Sequence, residues 1–117
     1  MQYALTIYDD QSKWGEVSPE DAEASGAAYG KVTEEMRAAG AFVAGEGLQP
    51  VTTATTVRVP NGERMVTDGP FAETKEQLGG FYVVECKDLD EAIGWAAKLP
   101  GAKSGCVEVR PVIQYEG

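Results

Sequence analysis

The run Asp68-Gly69-Pro70-Phe71-Ala72-Glu73-Thr74-Lys75-Glu76-Gln77-Leu78-Gly79-Gly80-Phe81 gathers the residues of this chain best suited to chemistry. Three carboxylates, one ammonium and two phenyl rings share fourteen positions without helical or strand periodicity. Loops of that composition, fixed between regular elements, are where binding and catalytic groups concentrate. Asp68 has two roles open to it. Ahead of Gly69-Pro70 its side chain can accept backbone N–H groups and fasten a turn. Aimed into a cleft from a strand end, a partly desolvated carboxylate can serve as general acid or base. Glu73, Lys75 and Glu76 read either as a solvated turn with weak ion pairs, or as a lysine holding an anionic ligand while a carboxylate polarises it. Phe71 reads as an apolar anchor for the loop and joins Glu73 and Lys75 among the candidate ligand contacts. Gly79-Gly80 would allow a bend or bulge at the start of the following strand.

Arg58 and Arg110 sit mid-strand among apolar residues. If a second copy of the chain covers their face, the guanidiniums line an enclosed cavity and need carboxylates, with Glu108 or Asp68 at hand. If not, they are edge charges that discourage aggregation. The chain contains no histidine, which excludes a Cys–His or Ser–His nucleophile pair within one chain. A Gly-rich phosphate loop, a dinucleotide fingerprint and a Cys/His metal cluster are also absent from the sequence, so neither a cofactor nor a metal is expected. Cys86 and Cys106 fall in predicted strands and read as reduced, buried thiols.

These groups must be positioned by a single domain spanning 1–117. Ten basic against nineteen acidic residues give a net charge of −9. Such a surface repels phosphate backbones, and no basic stripe interrupts it, so direct nucleic-acid binding is not expected. With 43% hydrophobic and 25% charged residues, the composition is that of an ordinary globular protein. No apolar run approaches the ~18 residues of a membrane span. The N-terminus starts a strand at once rather than a signal peptide, and the cytoplasm is the expected compartment.

Tyr3 to Tyr8 alternate as a strand with two different faces. Ser18-Pro19-Glu20-Asp21 starts a helix, with Ser18 as N-cap and acids near the positive end of the dipole. Ala22, Ser25, Tyr29, Val32, Met36 and Ala39 mark its inner stripe, and Gly40 ends it. Gly26 and Gly30 inside that helix would let it approach the sheet closely. Strands follow at Ala41–Leu48 and Ala54–Val59, an Asn61-Gly62 hairpin turn, and a return strand at Arg64–Thr67. A buried strand at Gly80–Cys86 precedes a helix capped by Asp88 with Glu91 three residues on, whose stripe is Leu89, Ala92, Ile93, Ala96 and Leu99. Pro100-Gly101 stop it, and Cys106–Ile113 is the last strand. Strand, helix, strand, hairpin extension, strand, helix, strand is the order of a ferredoxin-like split βαβ α+β domain with an antiparallel sheet. Two helices cover only one face of such a sheet. The other, rich in aromatic and β-branched residues, calls for a second copy of the chain, a homodimer.

The run from Asp68 to Phe81 closely resembles the motif that names the DGPFAETKE (DGPF) domains, a branch of the YCII-related proteins. The resemblance implies a dimeric α+β barrel. It further implies a His–Asp active-site pair, to which Asp68 could supply the Asp. DGPF-type sequences carry the histidine in an Ala-Arg-His-Gly segment ahead of their Val-Glu-Val-Arg-Pro-Val ending. Here that segment reads Ala102-Lys103-Ser104-Gly105, followed by Cys106 and then Val107-Glu108-Val109-Arg110-Pro111-Val112. Ser104 stands at the histidine position, and a hydroxyl that does not ionise near neutrality cannot replace an imidazole as proton shuttle. Any activity that depends on that histidine should be absent or altered.

Two functions fit. The first is a non-catalytic ligand-binding or regulatory dimer, tied by the family resemblance to extracytoplasmic-function sigma factors as partners. The second is a cofactor-free enzyme performing acid/base chemistry on a small polar organic molecule beside Asp68, with Arg58, Arg110 or Lys75 stabilising negative charge. The missing histidine favours the first.

Overall fold

The first strand decides how the domain is layered. In a computed structural model of the chain, which describes residues 1–115, the elements run β1 (Gln2–Asp9), α1 (Pro19–Ala38), β2 (Phe42–Gly47), β3 (Thr55–Arg58), β4 (Met65–Asp68), β5 (Gln77–Glu85), α2 (Leu89–Lys98), α3 (Gly101–Ser104) and β6 (Cys106–Pro111). β1 lies inside a four-stranded antiparallel sheet of order β2-β5-β1-β6, while β3 and β4 pair only with each other. This is the expected ferredoxin-like α+β arrangement with an added hairpin.

Alternation along β1 sorts the core. Tyr3, Leu5 and Ile7 are buried beneath the helices, opposite Val84, Tyr82 and Gly80 of β5 and Pro111, Val109 and Val107 of β6. α1 contributes Val32 and Met36, and the second helix contributes Ala92, Ala96 and the adjoining Leu99. Burying a side chain the size of Leu5 or Leu99 stabilises the fold by roughly 1.5–3 kcal/mol. The caps form as the sequence anticipates. Ser18 Oγ accepts from the Asp21 amide at 3.1 Å, and Asp88 Oδ1 accepts from the Glu91 amide at 2.9 Å. Gly40 ends α1 at φ 72°. Between Ile7 and Tyr8 the β1–β5 register shifts, so Gly79 becomes the extra residue of a bulge, the bend expected of Gly79-Gly80.

Several local expectations are corrected. The polar segment from Asp9 to Lys13, which the sequence suggests is a loop, leads into a 3₁₀ turn at Gln11–Glu16 started by Asp10, whose Oδ1 accepts from the Ser12 amide. Gly101–Ser104 forms a short helix of its own rather than a plain stop. The hairpin loop is wider than a tight Asn-Gly turn: Arg58 pairs with Met65, although Asn61 and Gly62 do adopt positive φ. Cys86 is buried, and burial pushes its thiol pKa up. Cys106 is exposed on the far face of the sheet, opposite Tyr8, and both thiols are free. Leu89 and Ile93 lie about half-exposed at the outer margin of their helix.

The domain is thin. Its extents are 48 × 45 × 18 Å and its radius of gyration is 16.2 Å, against about 13–14 Å for a compact domain of this length. Eighteen ångströms accommodates one sheet and one layer of helices, since a helix is roughly 10 Å across. The far sheet face carries Ala4, Thr6, Phe81 and Val83 in register, all partly exposed, and no helix packs on it among the described residues. The β3–β4 hairpin adds exposed Val57, Val59, Met65 and Val66.

Gly26 and Gly30 do not bring α1 to the sheet, because a Cβ at either would meet nothing within 4 Å. Replacing either by Ala should raise stability by roughly 0.5–1 kcal/mol, the helix-interior penalty of glycine, in urea or thermal melts. Gly105 behaves oppositely. A Cβ there would collide with the Tyr8 carbonyl oxygen, so Gly105→Ala should lower the melting temperature sharply. Equal effects at the three positions would contradict this packing.

Candidate functional site

The inward row of β1 does not end at Ile7. Tyr3, Leu5 and Ile7 are followed two residues on by Asp9, which pairs with Gln77 at the end of the strand. An apolar row that ends in a carboxylate places that carboxylate at the rim of the helix-covered space. There the helix stands away from the sheet. The first half of α1 is small and exposed (Ala22, Ala24, Gly26, Ala27, Ala28), and its buried residues, Val32 and Met36, both lie in the second half. The gap is a cavity of about 880 Å³ lined by Asp9, Trp14, Tyr29, Phe42, Tyr82 and Ser104, among others.

Glycines on the strands make its floor flat. A Cβ on Gly45 would fall 2.7 Å from the Tyr82 ring, so the bare backbone lets that ring lie across β2. The Trp14 ring lies over Gly79, 3.6 Å from where a Cβ would stand. Phe42 and Tyr82 meet edge to face with centroids 6.3 Å apart, a favourable aromatic geometry.

Polar groups converge on this space from four elements. Ser104 Oγ donates to Asp9 Oδ2 at 3.0 Å, and the Asp10 amide donates to Asp9 Oδ1 at 2.8 Å. The Gly101 amide donates to Tyr29 Oη at 2.9 Å. Thr33 Oγ1 donates to the Tyr29 carbonyl at 2.9 Å, which leaves it to accept from Tyr82 Oη at 2.9 Å. Burial raises the pKa of the Tyr29 phenol, opposed by the Gly101 hydrogen bond and aided by the nearby Tyr82 and Asp9. Tyr29 is therefore a neutral hydroxyl at physiological pH.

The residues singled out in the signature run lie elsewhere. Asp68 is exposed, the last residue of β4, paired with Thr55. Arg58 is at the opposite end of the same hairpin, also exposed. Arg110 projects from the far sheet face and holds Glu108 Oε1 at 2.6 Å, so of its two proposed carboxylate partners it meets Glu108. Asp68, Arg58 and Arg110 are not brought together. Glu73 and Lys75 are exposed and take part in none of the ion pairs among the described residues. Phe71 does not anchor the loop to the core; it is 75% exposed. With Pro70 and Thr74 it borders a separate hollow of about 450 Å³ against Val51, Thr53 and Ala54. Gly69, at φ 101°, turns the chain away from β4, and its amide donates to the Ala54 carbonyl at 2.7 Å. The Asp68–Glu76 part of the run thus closes the hairpin, and only its last residues, Gly79 and Gly80 in β5, reach the cavity floor. Asp9, Tyr29, Thr33 and Tyr82 were not singled out by sequence. The signal for Asp9 was its position on the odd-numbered row of β1; Tyr29 and Tyr82 read as ordinary core residues, and nothing in the sequence marked Thr33.

In comparison with known proteins, the sequence description of the YCII-related domain matches residues 1–116. An uncharacterized protein of Rhizobium meliloti (strain 1021) is 42% identical over 118 residues, spanning 99% of this chain and 95% of the relative.

The Asp9–Ser104 contact can be tested by placing an imidazole in it. In Ser104→His the new side chain is the only imidazole in the chain, so its NMR titration is unambiguous. The Asp9 carboxylate favours the imidazolium, and the pKa should rise above the ordinary ~6.5. With the folded-state pKa raised, the added stability is fully present below ~6.5 and disappears as pH rises through the raised value. An ordinary or lowered pKa would show that the two positions do not face each other.

Proposed function

The chain belongs to the YCII-related domain family, and on that footing we propose that it works as a homodimeric, non-catalytic small-molecule-binding domain whose ligand lies beneath α1 beside Asp9. The observation that carries this reading is the cavity itself. Its volume of about 880 Å³ falls within the ~300–1,000 Å³ of small-molecule sites, and mostly apolar walls with a few convergent polar groups are their usual make-up. Acid/base turnover is the weaker reading for a chemical reason. Catalysis of that kind needs a proton carrier poised near neutrality. Beside Asp9 stand a serine hydroxyl and a phenol whose pKa is raised, neither of which exchanges protons at pH 7.

The dimer rests on the uncovered sheet face. Phe81, Val83, Ala4 and Thr6 form a partly exposed patch with β-branched and aromatic members on the sheet face away from the helices, and an apolar patch facing solution marks an interaction surface. A second copy offers the same patch, which a two-fold contact requires. A regulatory link to a sigma factor, implied by the resemblance to DGPF-type domains, belongs to the same reading: an acidic dimer that changes its surface on binding a ligand can report to a basic protein partner. Among the described residues no helix is long and apolar enough to cross a membrane.

Two experiments test these points. Sedimentation at micromolar concentration should give twice 12.5 kDa, and Val83→Glu, which puts a charge into the covered face, should give the single-chain mass. A monomeric unsubstituted protein would contradict the dimer. For the cavity, calorimetric titration with small aromatic fragments should detect binding that Ser25→Phe, which fills the space from α1, abolishes. Fragments that bind both proteins equally would place the site elsewhere.

A further inference from the structure

The contents of the cavity bear on what it would hold. Resting on the proposal that this cavity is the binding site, we infer that its ligand is an organic cation, a protonated amine carried on an apolar or aromatic body. The Asp9 carboxylate belongs to none of the ion pairs among the described residues. Its two oxygens accept one hydrogen bond each, from the Asp10 amide and Ser104 Oγ, whereas a carboxylate offers about four acceptor sites. Acceptor capacity is left over at the cavity rim, and among the described residues no cation lies within ion-pair distance of it. Tyr82 adds to it, because its proton goes to Thr33 Oγ1 and its oxygen retains its lone pairs.

The walls agree with that polarity. Trp14, Phe42 and Tyr82 line the cavity, and aromatic faces attract cations, indole most strongly. Phe42 already shows this behaviour: the Arg37 guanidinium lies 4.2 Å from its ring centroid. Arg37 is the one cationic residue among those lining the cavity, against Asp9 and Glu46. It is also remote from Asp9 in the sheet register, since its partner Phe42 pairs with Val84 and Asp9 pairs with Gln77. Arg37 therefore does not neutralise Asp9. An anionic ligand would meet an unpaired carboxylate at one end of the cavity. An amine would meet a counter-charge there and ring faces along its body. The net charge of −9 steers cations towards the protein as a whole.

The test is calorimetric titration of the full-length protein with three probes of similar shape: 2-phenylethylamine, 2-phenylethanol and 3-phenylpropionate. The amine should bind at least tenfold more tightly than the alcohol, and the carboxylate most weakly. Asp9→Asn should abolish the preference for amine over alcohol, and Ser104→Ala, which keeps the carboxylate, should preserve the preference. Thermal melts check that each variant is folded, and the ranking on the unsubstituted protein needs no variant at all. Equal or tighter binding of the alcohol or carboxylate, blocked by Ser25→Phe, would overturn the ligand class while the cavity stands as the site. Unchanged amine binding in Asp9→Asn would also overturn it. Absence of binding by all three probes would overturn the ligand class together with the cavity reading.

Discussion

The close approach of the Gly101–Gly105 turn to the end of β1 is the constraint on which the rest of the site depends. No side chain fits at either glycine. A Cβ on Gly105 would collide with the Tyr8 carbonyl, and one on Gly101 would fall 2.5 Å from Ile7 Cγ2 and 2.8 Å from Tyr29 Oη. Because both positions are bare, α3 presses onto the strand. β6 then starts in register, Cys106 against Tyr8, Ser104 comes to rest on Asp9, and the Gly101 amide reaches the Tyr29 hydroxyl. That last bond ties the middle of α1 to the turn while leaving the small-residue first half of the helix clear of the sheet. One backbone contact thus fixes the carboxylate, the phenol and the open space between them.

The fold was largely legible in the sequence because its signals are local. Ser18 and Asp88 are caps whose hydrogen bonds form within three residues. The alternation Tyr3, Leu5, Ile7 needs only the pleat of a strand, and Gly79 marks a bulge through its own missing side chain. The site was less legible because its partners are distant in sequence. Asp9 and Ser104 are 95 residues apart, Tyr29 and Gly101 are 72 apart, and only the folded sheet brings them together. The run from Asp68 to Phe81 drew attention for its composition, yet composition does not say towards which layer a loop turns. Gly69, held to Ala54, turns it towards the hairpin. Ser104 stood out by its resemblance to a family histidine position, but the carboxylate it meets is Asp9, which in sequence sits at the edge of a plain polar loop.

The two faces of the sheet divide the work. The helix-covered face is apolar at one end, where Leu5, Met36, Leu99 and Val84 are fully buried, and hollow at the other, where Asp9 and its neighbours line the cavity. The dense end supplies the stability that lets the hollow end leave dispersion contacts unmade, since an unfilled space costs its lining atoms their packing partners. The β3–β4 hairpin and the loop after it carry the exposed Val57, Met65, Val66 and Phe71. In the proposed dimer the far sheet face, with Phe81 and Val83, meets a second copy, which leaves the cavity, on the opposite side, free for a ligand.

The central claim is that ligands enter beneath α1 and not at the Asp68–Lys75 part of the signature run. Its most direct test is the pattern of backbone amide shift changes in two-dimensional NMR spectra as a library of small polar and aromatic fragments is added. The largest changes should cluster at Asp9, Trp14, Tyr29, Gly101 and Ser104. Changes clustered instead at Asp68 to Lys75, with those five amides unmoved, would contradict the claim.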